Sequence, residues 1–405
     1  MFHQIKNNVH FVGKVDWDLQ KFHGNEFSTH HGTSFNAYLI QEKKTVLIDS
    51  VWGPHAKAFV ENLKAHIDLN SIDYVIANHA EPDHSGALPE LLKHIPHVPV
   101  YCTANATKSL KGIYHADWNF KTVKTGDKLD IGNGKQLVFV EMAMIHWPDS
   151  MLTYLTGDNI LFSNDAFGQH YASELLFNDL VDQAELQTEA LKYYANILTP
   201  FNLLIDKKLK EILALGLPID IIAPSHGIIW RKDPLHIVQQ YAAWANAFQT
   251  DQITILYDTM YEGTRRQAEH IAEGIHAASP LTTIKVFNMA KSDKNDVISE
   301  VFKSKGVVLG SSTINRSYLS SMAAILDEMK GLGFKNKKGA SFGCYGWSGE
   351  SPKHLSDDLA DAGFAVNHAP LKALWNPDDV ALKAAFDFGK QLAVDWGDPN
   401  PSDLS

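Results

Sequence analysis

The sequence predicts an α/β protein in two parts, an α/β sandwich followed by a doubly wound parallel sheet. Two rhythms predict it. From about residue 252 onward, β-like runs and amphipathic helical runs alternate five times, the pattern of a parallel sheet wrapped by helices. Before that point strands and helices interleave with antiparallel hairpins, which a simple doubly wound sheet lacks. Between the two lie the amphipathic run His236–Phe248 and the polar Gln249-Thr250-Asp251-Gln252. Domains of 1–250 and 251–400 are therefore expected, in keeping with 405 residues at roughly 100–200 per domain.

In the first part, the apolar runs Ser34–Ile40 and Thr45–Val51, joined by polar Gln41-Glu42-Lys43-Lys44, read as a β-hairpin. A helix follows over Ala56–His66, then a buried-type strand over Ile72–Asn78 that runs into the polar segment His79–Ser85. Gln136–Met142 is a strand, and Met151–Leu155 with Ile160–Ser163 forms a hairpin turned at Gly157-Asp158. A helix is expected over Gln183–Ile197, and a strand over Ile219–Ala223 that ends in Pro224-Ser225-His226-Gly227. In the second part the strands are Ile253–Tyr257, Thr283–Phe287, Gly306–Gly310, Gly339–Phe342 and Phe364–Ala369. Their helices are Thr264–Ala277, Lys294–Phe302, Leu319–Met329, Pro352–Asp361 and Asp378–Ala393. The tail Gly397–Ser405 is rich in Pro, Asp and Ser and is expected to fray.

Composition narrows the function classes. Hydrophobic residues make up 45% and charged residues 20%, so large cores can be buried and global disorder is excluded. Lys and Arg total 36 against 47 for Asp and Glu, a formal charge of −11, and no basic run exists. Nucleic acid and anionic membrane surfaces are therefore not expected partners. Two cysteines, Cys102 and Cys344, cannot supply a disulfide framework, a Cys-rich zinc site or a Cys-ligated iron–sulfur cluster. No apolar signal segment opens the chain and no run of about 18 apolar residues occurs, so a soluble cytoplasmic protein is expected. The 20 histidines stand out, because histidine is the commonest metal ligand.

Asn78-His79-Ala80-Glu81-Pro82-Asp83-His84-Ser85-Gly86 packs four candidate ligands, His79, Glu81, Asp83 and His84, just past a strand. Pro82 is expected to prevent a regular helix there, leaving the ligands on a loop. Three further candidates sit near predicted strand ends: His146 in Met144-Ile145-His146-Trp147-Pro148-Asp149-Ser150, Asp165 in Phe162-Ser163-Asn164-Asp165-Ala166, and His226. Singly each is an ordinary polar residue; together they supply enough donors for a dinuclear site. With Glu81, Asp83, Asp165 and a bridging hydroxide, four negative charges balance two divalent ions. A histidine at position 81 would leave the site positive and resistant to oxidation, and mixed carboxylate–imidazole donors suit iron.

In the second part, strand Ile253–Tyr257 runs into Asp258-Thr259-Met260-Tyr261-Glu262-Gly263-Thr264 at a helix start, where backbone N–H groups and hydroxyls suit a phosphate. The absence of Lys argues against a P-loop for nucleoside triphosphates. Ser311-Ser312-Thr313-Ile314-Asn315 and Gly343-Cys344-Tyr345-Gly346-Trp347-Ser348-Gly349 follow the third and fourth strands. Such loops converge where open α/β sheets bind ligands, and Tyr345 or Trp347 offers a stacking plane for a flavin ring.

The order His79-x-Glu81-x-Asp83-His84, then His146, Asp165 and His226, resembles that of the metallo-β-lactamase superfamily with Glu81 in place of a histidine. That departure resembles the flavodiiron proteins, as do Trp17-Asp18, Phe22-His23-Gly24, Phe167-Gly168-Gln169-His170 and Tyr193-Tyr194-Ala195-Asn196. The resemblance spans both parts. It implies a metallo-β-lactamase-like αββα sandwich followed by a flavodoxin-like domain, with FMN and two non-haem irons as cofactors. One iron would be held by His79, Glu81 and His146, the other by Asp83, His84 and His226, and Asp165 would bridge them. His170 is either a proton donor beside the irons or a structural histidine; Tyr194 is either a pocket hydroxyl or helix packing. The resemblance implies reduction of nitric oxide to nitrous oxide or of dioxygen to water. It also implies a head-to-tail homodimer, or a dimer of dimers, and a rubredoxin-type electron donor that is separate or lies beyond residue 405. A zinc-dependent hydrolase with an appended flavodoxin domain, and a redox carrier with a structural metal loop, remain the rival readings.

Overall fold

The computed structural model describes residues 2–397, so the expectation of a frayed tail lies, from residue 398 on, outside the described residues. The chain divides into two compact units, one of residues 1–194 and 201–245, the other of residues 195–200 and 246 onward.

The first unit is built on two sheets. One carries His3–Lys6, Val9–Phe11, Tyr38–Gln41, Thr45–Ile48, Ile72–Ile76, Val100–Thr103 and Phe120–Val123 in that order. The other carries Lys128–Gly132, Lys135–Glu141, Met151–Leu155, Ile160–Asn164 and Ile221–Pro224. Side chains alternate along each strand. Thus Ile40, Val46, Ile48 and Ile76 turn toward Leu137, Phe139, Leu155 and Phe162 of the other sheet. Their neighbours Leu39, Leu47 and Val75 pack instead on Phe59, Val60, Leu63 and Leu91 of the covering helices. On the far side, helices Gln183–Tyr193 and Leu235–Ala245 bury Leu186, Ala190, Ile237 and Trp244, and Tyr241 accepts a hydrogen bond from the Phe167 N–H just past strand Ile160–Asn164.

Three expectations are corrected here. The run Ser34–Ile40 is two strands, since Thr33–Phe35 pairs with Lys14–Asp16 while Tyr38–Gln41 forms the hairpin with Thr45–Ile48. Pro82 does not keep the ligand segment in a loop; it opens a one-turn helix, Pro82–Ser85. Proline suits the first helical position, where its missing N–H would have had no intrahelical partner. The long helix stops being α-helical at Tyr193 and continues as a π-helical turn, Tyr194–Leu198, ahead of Pro200.

In the second unit Thr250–Asp258, Thr283–Asn288, Ser304–Ser311 and Lys338–Tyr345 pair in parallel, with the first strand between the second and third. Numbered along the chain the order is 2-1-3-4-5, the flavodoxin-like doubly wound arrangement. The expected fifth strand Phe364–Ala369 is split into Ala365–Val366 and Leu371–Leu374, both parallel to the fourth. Pro370 lies in the interruption, where it has no N–H to give the ladder. Among the described residues no helix is long and apolar enough to cross a membrane.

Candidate functional site

The ligand segment is pinned before it begins. Strand Ile72–Ile76 delivers Asn78 to the buried Asp49, whose carboxylate accepts from the Asn78 backbone N–H at 2.7 Å and side-chain amide at 3.0 Å. The Thr153 hydroxyl donates to Asn78 Oδ1 at 2.6 Å, tying in the second sheet. Burial pushes the Asp49 carboxyl up to about 6. After this clamp, His79 and Glu81 lie on extended chain and Asp83 and His84 on the short helix. The Ser85 hydroxyl closes the turn on the Ala80 and Glu81 carbonyls at 2.7 and 2.9 Å.

The seven expected ligands converge as two sets, His79, Glu81, His146 and Asp165, and Asp83, His84 and His226, each with donor atoms within 4.8 Å of one another. Asp165 faces both sets: it stands 2.9 Å from His84 Nε2, 3.3 Å from His146 Nε2, and 3.6 Å from both His79 Nε2 and His226 Nε2. Burial disfavours charge on the His84 ring, yet the carboxylates of Asp165 and Asp83 outweigh it and raise that ring to about 9. Burial likewise opposes ionisation of Asp165, and the imidazoles of His84 and His146 hold its carboxyl well below the usual range.

The donors fit metal ions better than they fit one another. Asp83 Oδ1, both ring nitrogens of His84 and both oxygens of Asp165 are buried without a hydrogen-bond partner. Five such atoms in one pocket would be costly in a site satisfied only by protein. Two cations held between the sets would satisfy the carboxylate oxygens and one nitrogen of His84, and mixed imidazole and carboxylate donors suit iron.

His170 lies beside this cluster, its ring 5.3 Å from that of His226. Its Nδ1 is 2.9 Å from the Thr33 hydroxyl, while its buried Nε2 has no partner. Tyr194 is not brought to the site; its hydroxyl donates to Asn202 Oδ1 at 2.7 Å and its ring packs on Tyr241 and Trp244. The tyrosine at the cluster is its neighbour Tyr193, 5.2 Å from the His170 ring. His23 is a second residue that sequence reasoning misses as a ligand neighbour, with Nδ1 3.3 Å from Glu81 Oε1. A helical residue one position away points about 100° elsewhere, so the pair Tyr193-Tyr194 carries no signal to choose between them.

In the second unit a cavity of about 830 Å³ opens at the carboxyl ends of the first, third and fourth strands. Met260, Tyr261 and Gly263 line it from the first expected loop, Ser312, Thr313, Ile314 and Asn315 from the second, and Tyr345, Gly346, Trp347 and Ser348 from the third. The remaining expected residues stand behind that wall. The Thr259 hydroxyl is buried and unpartnered, and Thr264 Oγ1 lies 3.1 Å from Ser312 Oγ. Glu262 holds the left-handed conformation (φ 66°) that turns the chain into helix Gly263–Ala278. The Ser311 hydroxyl accepts from the Leu319 N–H, and a Cβ on Gly343 would meet the Ser311 carbonyl at 2.1 Å. Gly349 gives the Tyr345 ring its space. Cys344, of the third loop, also lines the cavity, as do Arg316, Trp375 and Asn376, which were not foreseen; Trp375 and Asn376 follow the split fifth strand, which sequence periodicity does not resolve. A helix start with an orphaned hydroxyl fits a phosphate, and exposed Trp347 and Trp375 fit an aromatic ring system.

A lactamase-type sandwich bearing a dinuclear carboxylate–imidazole cluster, joined to a flavodoxin-type sheet with a ring-sized cavity, defines a two-cofactor redox protein. The ODP family beta lactamase domain matches residues 33–227 and the Flavodoxin domain residues 255–389. Over 402 residues the chain is 54% identical to the anaerobic nitric oxide reductase flavorubredoxin of Vibrio vulnificus, covering 99% of this chain and 81% of that protein. It is 54% identical over 393 residues to the protein of that name from Escherichia coli K12, covering 97% and 82%. Its fold superposes on rubredoxin oxygen:oxidoreductase from Desulfovibrio gigas with a TM-score of 0.94 at 32% identity, covering 98% of each chain. The flavodiiron protein of Giardia intestinalis gives 0.92 at 30% identity, covering 98% of this chain and 97% of that one. The chain belongs to the flavodiiron protein family, and within it stands close in sequence to the flavorubredoxins. Its cofactors are FMN and two non-haem irons.

Proposed function

We propose that this protein is a cytoplasmic reductase that converts two molecules of nitric oxide, with two electrons and two protons, to nitrous oxide and water. The observation that carries the proposal is the two adjacent ligand sets with Asp165 within 3.6 Å of imidazoles of both, in a chain 54% identical to proteins named anaerobic nitric oxide reductase. His79, Glu81 and His146 would hold one iron and Asp83, His84 and His226 the other, with Asp165 between them. When bound, the irons supply diatomic binding and electrons, and FMN replenishes those electrons.

The protein's own residues do the rest. Glu81, Asp83 and Asp165 bring three negative charges to two divalent ions, leaving room for one bridging anion. Burial of the His79, His84 and His226 rings excludes bulk water around them, which strengthens their interactions. Thr33 can donate to or accept from His170 Nδ1, so His170 Nε2 can hold or take a proton beside the cluster. The three loops of the second unit would hold FMN, and the unpartnered Thr259 hydroxyl with the Thr264 and Ser312 hydroxyls would receive its phosphate. We further propose a division at 250/251 into diiron and FMN domains, a rubredoxin-type donor, and a head-to-tail homo-oligomer that brings one chain's FMN to its partner's irons.

The test is anaerobic. The reduced protein, with iron and FMN quantified, is given nitric oxide and its consumption is followed at an electrode. Rapid consumption with about two irons and one FMN per chain supports the proposal. A fully loaded protein that ignores nitric oxide but consumes dioxygen would make it an oxygen reductase, the second reading favoured by the likeness to the Desulfovibrio gigas enzyme. Zinc in place of iron would return it to the hydrolases. Fractionation and light scattering check the compartment and the oligomer.

A further inference from the structure

The two ligand sets are matched in the donors they offer: His79, Glu81 and His146 against His84, Asp83 and His226, each one carboxylate and two imidazoles, with Asp165 facing both. They are not matched in what stands behind the imidazoles. His226 Nδ1 donates to a neutral group, the Ser34 carbonyl, at 2.7 Å. His84 Nδ1 is buried with no partner. His79 Nδ1 instead lies 2.6 Å from Asp149 Oδ1, a carboxylate that is itself 0% exposed.

Asp149 is held in place without help from His79. The Thr103 hydroxyl donates to the Asp149 carbonyl at 3.0 Å, and the Asn105 side chain donates to the Pro148 carbonyl at 3.0 Å. The edge of the preceding Trp147 packs on the His79 ring at 5.1 Å. No lysine or arginine is paired with the Asp149 carboxylate among the described ion pairs; its partner there is His79, and its Oδ2 has no hydrogen-bond partner. The Ala80 N–H also reaches Asp149 Oδ1, at 3.5 Å, so this oxygen is fixed as an acceptor facing the His79 ring. A hydrogen bond from Nδ1 to a carboxylate fixes the tautomer, aims the Nε2 lone pair inward and makes the imidazole a stronger donor.

We propose that Asp149 is a positioning residue for His79 that makes the two metal positions unequal, the His79–Glu81–His146 position binding its ion more tightly than the other. The proposal rests on the dinuclear reading above, and its test separates the two. Metal-free protein retaining FMN is titrated with Co²⁺, with and without Asp149→Asn, and the cobalt absorption is read for each binding step. The expected result is two ions per chain in both proteins, with one step weakened about 10–100-fold in the variant and the other unchanged. Equal weakening of both steps, or of neither, overturns the proposal. Fewer than two ions in the unmodified protein would instead overturn the dinuclear reading. Should the variant not fold, the unmodified metal-free protein carries the test. Its His79 Nδ1 proton, identified by ¹⁵N-histidine labelling, is expected as a slowly exchanging downfield resonance, and its absence overturns the proposal.

Discussion

Replacing Asp165 with alanine probes the shared carboxylate. Its oxygens lie 2.9–3.6 Å from imidazole nitrogens of both ligand sets, so no other residue has the same claim on two ions at once. One unit charge pair at about 4 Å, with an effective dielectric of about 20, is worth about 4 kcal/mol. At 1.4 kcal/mol per decade that is roughly a thousandfold in affinity, and it applies to both positions. The expected outcome of Asp165→Ala is loss of both irons from purified protein, with FMN retained because the cavity in the second unit does not involve Asp165. Iron is measured by elemental analysis and FMN by absorbance after release. A variant holding two irons per chain would refute the bridging role, and one holding a single iron would assign Asp165 to one position only. Loss of FMN together with iron would show that the variant had misfolded, so the far-ultraviolet spectrum is recorded on the same sample.

Other substitutions test separate parts of the reading. Glu81→His removes a negative donor and adds a nitrogen, so protein produced with both metals available is expected to exchange iron for zinc; an unchanged ratio by elemental analysis would sink the charge argument. Thr264 is buried with its hydroxyl 3.1 Å from Ser312 Oγ, and Thr264→Glu is expected to lower FMN content by placing an anion at the phosphate position. Unchanged flavin would move that position elsewhere. Lys337 is buried, donates to the Phe302 and Ser304 carbonyls at 2.8 and 2.7 Å, and is lowered by burial to about 7. An unfolded lysine titrates near 10.4, so between about pH 7 and pH 10 the unfolded state binds more protons and this residue's contribution to stability rises with pH. Lys337→Met is expected to flatten that rise in a series of melting temperatures against pH, and an unaltered slope would assign the dependence to other groups.

The second unit is nearly all legible in the sequence, because its central parallel strands are buried on both faces and read as continuous apolar runs. Ser304–Ser311 and Lys338–Tyr345 stand out in this way. The fifth strand does not, since Pro370 and short length break its signal. In the first unit, strands such as His3–Lys6 and Phe120–Val123 are short and largely exposed or half-buried, so periodicity does not register. The ligand segment is legible for its density of His, Glu and Asp, but its short helix is not, since proline reads as a breaker unless it falls at the first helical position.

By itself the sequence determined the chemistry available: which donors exist, their order along the chain, and the carboxylate at position 81 that sets the charge of the site. These are properties of residue identity, and no fold can change them. Tertiary structure decided which groups meet. It brought His226 to Asp83 across 143 positions of chain, chose Tyr193 over Tyr194 for the cluster, and set Asp149 behind His79 and no charge behind His226. The reason is geometric: a side chain's neighbours depend on strand register, helix phase and the packing of two sheets, and those follow from long-range burial that no local stretch of sequence contains.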